Sequence, residues 1–290
     1  IGVRLVGSEM CIRDRLSASH IGELLTCPRR WFMTRRAGAS SGSALRASIG
    51  SLVHRICAGN MDQWSLPEAL AELEAAWPEI ELSAEWQRSA ELADAKAAVQ
   101  RFDGWLQLRN RQLIGTEVRV DGTITVPSGT ARVRGSIDRL ERDAEGAYYV
   151  VDLKTGTSQS DEIKQSHRLQ IGVYQAVVAS GGVEAIGPAS VSGAELVHLR
   201  IGAGIGQANP KVDYQSGLVD VPWPDEAEPV DGCCNWVEAS VDKALRIVTS
   251  GEYPAIANRG CGHCPARAGC PALVPMDPAT VGSDRRRNVP

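Results

Sequence analysis

Asp152 and Lys154 stand two residues apart at the end of the run Tyr149-Val150-Val151-Asp152-Leu153-Lys154-Thr155-Gly156. Side chains of a strand alternate between its faces, so the carboxylate and the ammonium share one face while Val151 and Leu153 share the other. A carboxylate beside a lysine, at the end of a strand buried on its far side, suits a divalent cation and a group that polarises water. The same pair also suits a surface ion pair. Lysine is scarce in this chain, confined to Lys96, Lys154, Lys164, Lys211 and Lys243, so chance is a weaker account of one at this spacing.

Other groups could join them. Asp138 closes the run Arg134-Gly135-Ser136-Ile137-Asp138-Arg139, and His54 ends Gly50-Ser51-Leu52-Val53-His54 at helical spacing. Taken alone, His54 is equally a satisfied core histidine. Gln170 and Tyr174 are four apart, hence neighbours on one helix face. Two carboxylates on adjacent strand ends, a lysine and an upstream histidine would form a hard-cation site with room for phosphate oxygens. A second constellation is Cys261-x-x-Cys264-x5-Cys270, three thiolates in one loop that need a fourth from elsewhere, for which Cys27, followed by Pro28, is the candidate. Spacing alone leaves both tetrahedral zinc and an iron-sulfur cluster open. Arg29 and Arg30, next to Trp31 and Phe32, fit either a solvated basic face or phosphate contact.

The elements that must position these groups follow from periodicity. Ser19 can cap a helix carrying Ile21, Leu24 and Leu25 that Cys27-Pro28 breaks. A Gly/Ser linker at 39–43 precedes a helix over about 44–59, and helices follow at 66–77 and 83–113 with Trp86, Phe102 and Trp105 as packing anchors. At Gly115 the period changes to two, and an antiparallel meander is expected over 116–126, 131–140 and 147–154. A helix over 166–180, strands at 190–201 and 212–221, and a helix over 233–249 complete the pattern. Residues 1–15 read as a translated sequencing-adapter leader, which implies that the natural chain begins elsewhere, and 274–290 as a poorly ordered tail. One domain over 16–273 is expected, with a helical part at 44–113, a strand-rich core at 115–221 that holds Asp138, Asp152 and Lys154, and a C-terminal helix and cysteine loop at 230–273.

Composition limits the alternatives. The chain has 290 residues, 43% hydrophobic and 23% charged, which is ordinary for a globular protein. Its net charge of −4 argues against a uniformly basic coat for nucleic acid. No apolar run approaches the roughly 20 residues that span a bilayer, and the N-terminus lacks a signal-peptide core, so a cytoplasmic location without membrane contact is expected. In that compartment the eight cysteines suit metal ligation, reactive thiols or core packing better than disulfides. Cys57, Cys233 and Cys234 have no spacing partner, and His20, His167 and His198 read as structural. No G-x-x-x-x-G-K-[ST] phosphate loop is present.

The order Gly50-x-x-x-His54, Gly135-Ser136-Ile137-Asp138-Arg139, Asp152-Leu153-Lys154-Thr155-Gly156 and Gln170-x-x-x-Tyr174 resembles the PD-(D/E)XK nuclease superfamily in its RecB-like branch. The resemblance implies an α/β restriction-endonuclease-like core, a mixed central sheet flanked by helices, with an N-terminal helical insertion and a C-terminal iron-sulfur loop. It implies that His54, Asp138 and Asp152, with the backbone carbonyl of Leu153, hold Mg²⁺ or Mn²⁺. Lys154 would orient or help deprotonate the attacking water, and Gln170 and Tyr174 would organise the site and the DNA strand. By similarity to AddB-like and Cas4-like nucleases, Cys27, Cys261, Cys264 and Cys270 would hold a [4Fe-4S] cluster that staples the first helix to the last loop. Candidate DNA contacts are Arg29, Arg30 and Arg139. The activity implied is metal-dependent hydrolysis of DNA, exonucleolytic on a single strand or at duplex ends. It would act in double-strand-break repair with a helicase module in cis or trans, as in AdnAB/AddAB-type helicase-nucleases. The alternatives are a stand-alone Cas4-like or RecB-like exonuclease, a catalytically inactive DNA-binding scaffold, and a zinc-binding interaction module.

Overall fold

The switch from helical to twofold periodicity near Gly115 marks the start of a five-stranded sheet, β1 Gln112–Val126, β2 Gly129–Arg142, β3 Tyr148–Lys154, β4 Val191–Gly202 and β5 Pro210–Ser216, in spatial order β1-β2-β3-β4-β5. The computed structural model describes residues 16–39, 44–59, 64–81, 85–157, 161–204, 208–224 and 227–273. The expected leader at 1–15, the tail at 274–290 and all of the Gly/Ser linker but Ala39 lie outside the described residues.

The first three strands form the antiparallel meander. β3 then pairs with β4 in parallel, which requires a crossover, and α6 Asp161–Ala179 supplies it. β5 returns antiparallel to β4. The sheet is thus mixed, with helices on both faces. α1 Ala18–Thr26, α6 and α7 Trp236–Ser250 bury Ile21, Leu24, Val173, Val177, Val241 and Leu245 against Leu140, Val150 and Leu196. On the other face α3 Ala44–Ala58, α4 Leu66–Ala76 and α5 Arg88–Gln107 pack Val53, Leu73, Val99, Phe102 and Trp105 against Val151, Leu153, Val197 and Leu199. The alternation along β3 therefore turns Asp152 and Lys154 toward α6, on the same face as Val150.

Several elements differ in detail from the sequence pattern. The cap of α1 is Ser17, whose Oγ accepts the His20 N–H, rather than Ser19. Cys27-Pro28 ends α1 but also begins α2 Pro28–Arg35, because a proline at the first position needs no amide partner. The expected helix at 83–113 is shorter, since the chain is already in β1 by Gln112. Trp86, expected as a packing anchor, is 78% exposed in a short 3₁₀ turn, whereas Phe102 and Trp105 are buried and stacked on each other. α2 stacks Trp31 and Phe32 on Tyr253, and Arg29 N–H donates to Pro254 O, which brings the N-terminal helices to the segment before the cysteine loop. Among the described residues no helix is long and apolar enough to cross a membrane.

Candidate active site and cysteine cavity

Two glycines set the geometry of the site before any polar group is considered. A Cβ on Gly50 would lie 2.7 Å from Thr155 Oγ1, so its absence lets α3 approach the turn after β3 and carries His54, one helical turn on, to Asp138 of β2. A Cβ on Gly135 would lie 2.8 Å from Tyr174 Oη, so a bare backbone on β2 admits the α6 tyrosine.

The side chains brought together are those of α3, β2, β3 and α6. His54 Nε2 lies 3.0 Å from Asp138 Oδ2, and the same oxygen accepts the Leu153 N–H at 2.6 Å. Lys154 Nζ is 2.7 Å from Asp152 Oδ2 and donates to Gln170 Oε1 at 2.7 Å. Gln170 in turn bonds the Tyr174 hydroxyl, which also meets the Ser136 backbone. A continuous chain of contacts thus runs Asp152–Lys154–Gln170–Tyr174, with Asp138 tied to β3 through the Leu153 amide. His54 faces an open cleft of about 650 Å³ lined also by Gly50, Ser51, Arg55, Glu117 and Thr155.

The electrostatics follow from burying two carboxylates side by side. Burial, then the Asp152 charge, pushes the Asp138 carboxyl above the usual range. The bond to Asp138 holds His54 above the ordinary imidazole value, aided by the Asp138, Glu117 and Asp152 charges. Tyr174 is pushed up to about 12 by burial and by Asp152 and Asp138, which keeps its hydroxyl neutral. His167, on α6 behind Lys154, is lowered to about 4 by burial and the Lys154 charge. His198, which is buried, donates from Nε2 to Asp213 Oδ2, 2.9 Å away.

Whether a divalent ion fits can be judged from the donors. One imidazole nitrogen and carboxylate oxygens of Asp138 and Glu117 all lie within 4.8 Å of one another, a nitrogen-and-oxygen set that suits a hard or borderline cation. Glu117, on β1, was not singled out in the sequence, where it sits in an ordinary strand run with no motif around it. No local signal there marks it.

The cysteines form a separate centre. Cys27, Cys261, Cys264 and Cys270 line one cavity together with Arg29, Arg30 and Arg267. Backbone amides aim at two of the sulfurs: Ile256 N–H donates to Cys27 Sγ at 3.5 Å and Asn258 N–H to Cys261 Sγ at 3.3 Å. Cys57 is buried in the helical core, and Cys233 and Cys234 lie before α7, away from this cavity.

The three arginines read as DNA contacts are placed elsewhere than at the cleft. Arg29 and Arg30 line the cysteine cavity. Arg139 is only 5% exposed and donates to Glu141, within a buried group that also contains Arg109, Arg111 and Glu195. Its guanidinium lies on the α5 face, over Trp105. The alternation that points Asp138 at the cleft points its neighbour Arg139 into the opposite core.

A family model described as the PD-(D/E)XK nuclease superfamily matches residues 15–271. The mixed five-stranded sheet flanked by helices is consistent with a restriction-endonuclease-like α/β fold. No curated protein sequence matches. Among solved structures, the crystal structure of SSO0001 is 16% identical, covering 90% of this chain and 88% of its own, with a TM-score of 0.43.

Proposed function

We propose that this chain, which belongs to the PD-(D/E)XK nuclease superfamily, hydrolyses phosphodiester bonds of DNA with the groups gathered around Asp138 and Asp152. Mg²⁺ or Mn²⁺ held by His54, Asp138, Asp152 and the Leu153 carbonyl would supply a nucleophile near neutral pH and offset the charge on the scissile phosphate. Lys154 is the water-positioning residue. Its ammonium is fixed between Asp152 and Gln170, so it can hold a water or a phosphate oxygen without reorganising. Gln170 accepts from that lysine and is itself held by the Tyr174 hydroxyl, and the pair would organise the site and the DNA strand. The observation that carries the reading is that one Asp138 oxygen meets both His54 and the β3 amide next to Lys154. This unites three motifs that are distant in sequence. Purified protein with Mg²⁺ or Mn²⁺ is expected to degrade linear single-stranded DNA, and Asp152→Ala to abolish this. Undiminished cleavage by that variant sinks the assignment.

The finer reading is a RecB-like enzyme, exonucleolytic on a strand delivered by a helicase partner during break repair. Its support is the order and spacing of the four motifs and the cysteine set. Linear and circular single strands compared under the same conditions test it: an exonuclease spares the circle, and equal loss of both removes the exonuclease reading.

We also propose a [4Fe-4S] cluster on Cys27, Cys261, Cys264 and Cys270. The reading rests on the resemblance and on four cysteines lining one cavity; tetrahedral zinc on the same four thiolates is the competing outcome of the test. Amide donors to sulfur and nearby guanidinium groups suit the negative charge of a thiolate-bound cluster. Iron and acid-labile sulfide in anaerobically purified protein, lost together with thermal stability in Cys27→Ser, are expected. Stoichiometric zinc without iron overturns the cluster.

A further inference from the structure

Glu117 is the one non-glycine residue with positive φ among the described residues, at φ 48° in the middle of β1. The ladder passes from Thr116 opposite Arg139 to Val118 opposite Ile137, so Glu117 stands across from Asp138. A side-chain-bearing residue in the left-handed region costs free energy, and such outliers persist where the surroundings over-determine them and concentrate at functional sites. Here the surroundings are specific. Glu117 Oε1 lies 3.2 Å from His54 Nδ1, and Oε2 accepts the Ser136 hydroxyl at 2.8 Å. Both oxygens are engaged although the side chain is half exposed. The opposite ring nitrogen, Nε2, is the one that meets Asp138.

We propose that Glu117 is a positioning residue for His54: its carboxylate accepts a hydrogen bond from Nδ1–H of the imidazole, so that Nε2 is the nitrogen left to face a divalent cation beside Asp138. This rests on the metal-dependent reading above. An imidazole can ligate an ion only through an unprotonated nitrogen, and a carboxylate on the other nitrogen fixes both the tautomer and the ring orientation. The strained backbone at Glu117 is then the means by which an edge strand delivers a carboxylate to the far side of a ring carried by α3. Ser136, two residues before Asp138 on β2, keeps that carboxylate from swinging into the cleft.

The test is Mn²⁺ affinity of the full chain without DNA, measured by calorimetry, alongside the melting temperature of the metal-free protein. Glu117→Gly is expected to weaken Mn²⁺ binding about 10–100-fold while leaving the melting temperature unchanged or higher, since glycine adopts this φ freely. Glu117→Gln keeps an acceptor for Nδ1–H and is expected to lose less, and it serves if the glycine variant folds poorly. In a His54→Ala background Glu117→Gly is expected to cause no further loss, because the residue acts through that ring. Wild-type affinity in both Glu117 variants overturns the proposal. So does a full loss that persists in the His54→Ala background, which would make Glu117 a ligand itself. If wild-type protein binds no Mn²⁺ at all, the metal-dependent reading fails and this proposal falls with it, an outcome distinct from the other two.

Discussion

The Leu153 amide donates to Asp138 Oδ2 at 2.6 Å, so a carboxylate from within β2 is fastened to the backbone of β3 between Asp152 and Lys154. The two strands pair only as far as Arg139 opposite Val151. Beyond that pair the side chain of Asp138 takes over the work of the ladder. A carboxylate that bridges two strands where their pairing stops is fixed in position before any ligand arrives, which is what a preorganised charge requires.

That dual role separates two substitutions at Asp138. Asp138→Asn keeps an oxygen for the Leu153 amide but removes the charge, and is expected to lose metal-dependent cleavage by about 10²–10³-fold with thermal stability little changed. Asp138→Ala also orphans the amide and is expected to cost a further 1–3 kcal/mol, roughly. Denaturant titration beside a cleavage assay distinguishes them; equal stability of the two variants removes the bridging role.

Gly135→Ala tests the approach of α6 to β2. A methyl there would meet Tyr174 Oη at 2.8 Å, and Tyr174 is 5% exposed with little room to retreat. A stability loss of about 1–3 kcal/mol is expected from overpacking, with a fall in cleavage rate as the Gln170–Tyr174 contact is displaced. Unaltered melting and activity would show that the ring is free to move.

Acid should destabilise the fold through His167. Burial and the Lys154 charge depress its pKa from 6.5 to about 4, so the unfolded chain binds the extra proton first and stability falls as pH drops through that window. The contribution is complete above about pH 6.5 and lost by about pH 4. It is on the order of 1–2 kcal/mol once partial exposure is allowed for. His167→Gln is expected to flatten the slope of stability between those values. His20 and His198, also lowered, leave a residual slope. An unchanged slope in the variant counts against the assignment.

Arg139→Ala should behave as a core substitution. Glu141 is fully buried and also meets Arg109 and Arg111, so removing one donor is expected to cost about 1–3 kcal/mol. The salt dependence of DNA binding should stay as in the wild type, because no phosphate contact is lost. A shallower salt slope would return Arg139 to the DNA surface.

The sequence by itself determined the strand that carries Asp152 and Lys154 on one face, the i,i+4 pairing of Gln170 with Tyr174, the meander of the first three strands and the grouping of Cys261, Cys264 and Cys270. Each of these is a relation over a few residues, written in periodicities of 2 and 3.6 and in turn residues, and local geometry is enough to read it. Tertiary structure decided the rest. His54 could be placed on a helix from its neighbours, but only the packing of α3 against Thr155 brings its ring to Asp138. Glu117 looks like any polar residue of an edge strand until His54 and Ser136, from elements far along the chain, close on its carboxylate. Arg139 and Trp86 carry opposite lessons. The arginine is buried because Glu141 and its partners neutralise it, and the tryptophan is exposed because its turn finds no core to enter. The physical reason is common to all four. Whether a side chain is buried, paired or left in water depends on what distant segments place around it, and no spacing along the chain encodes that.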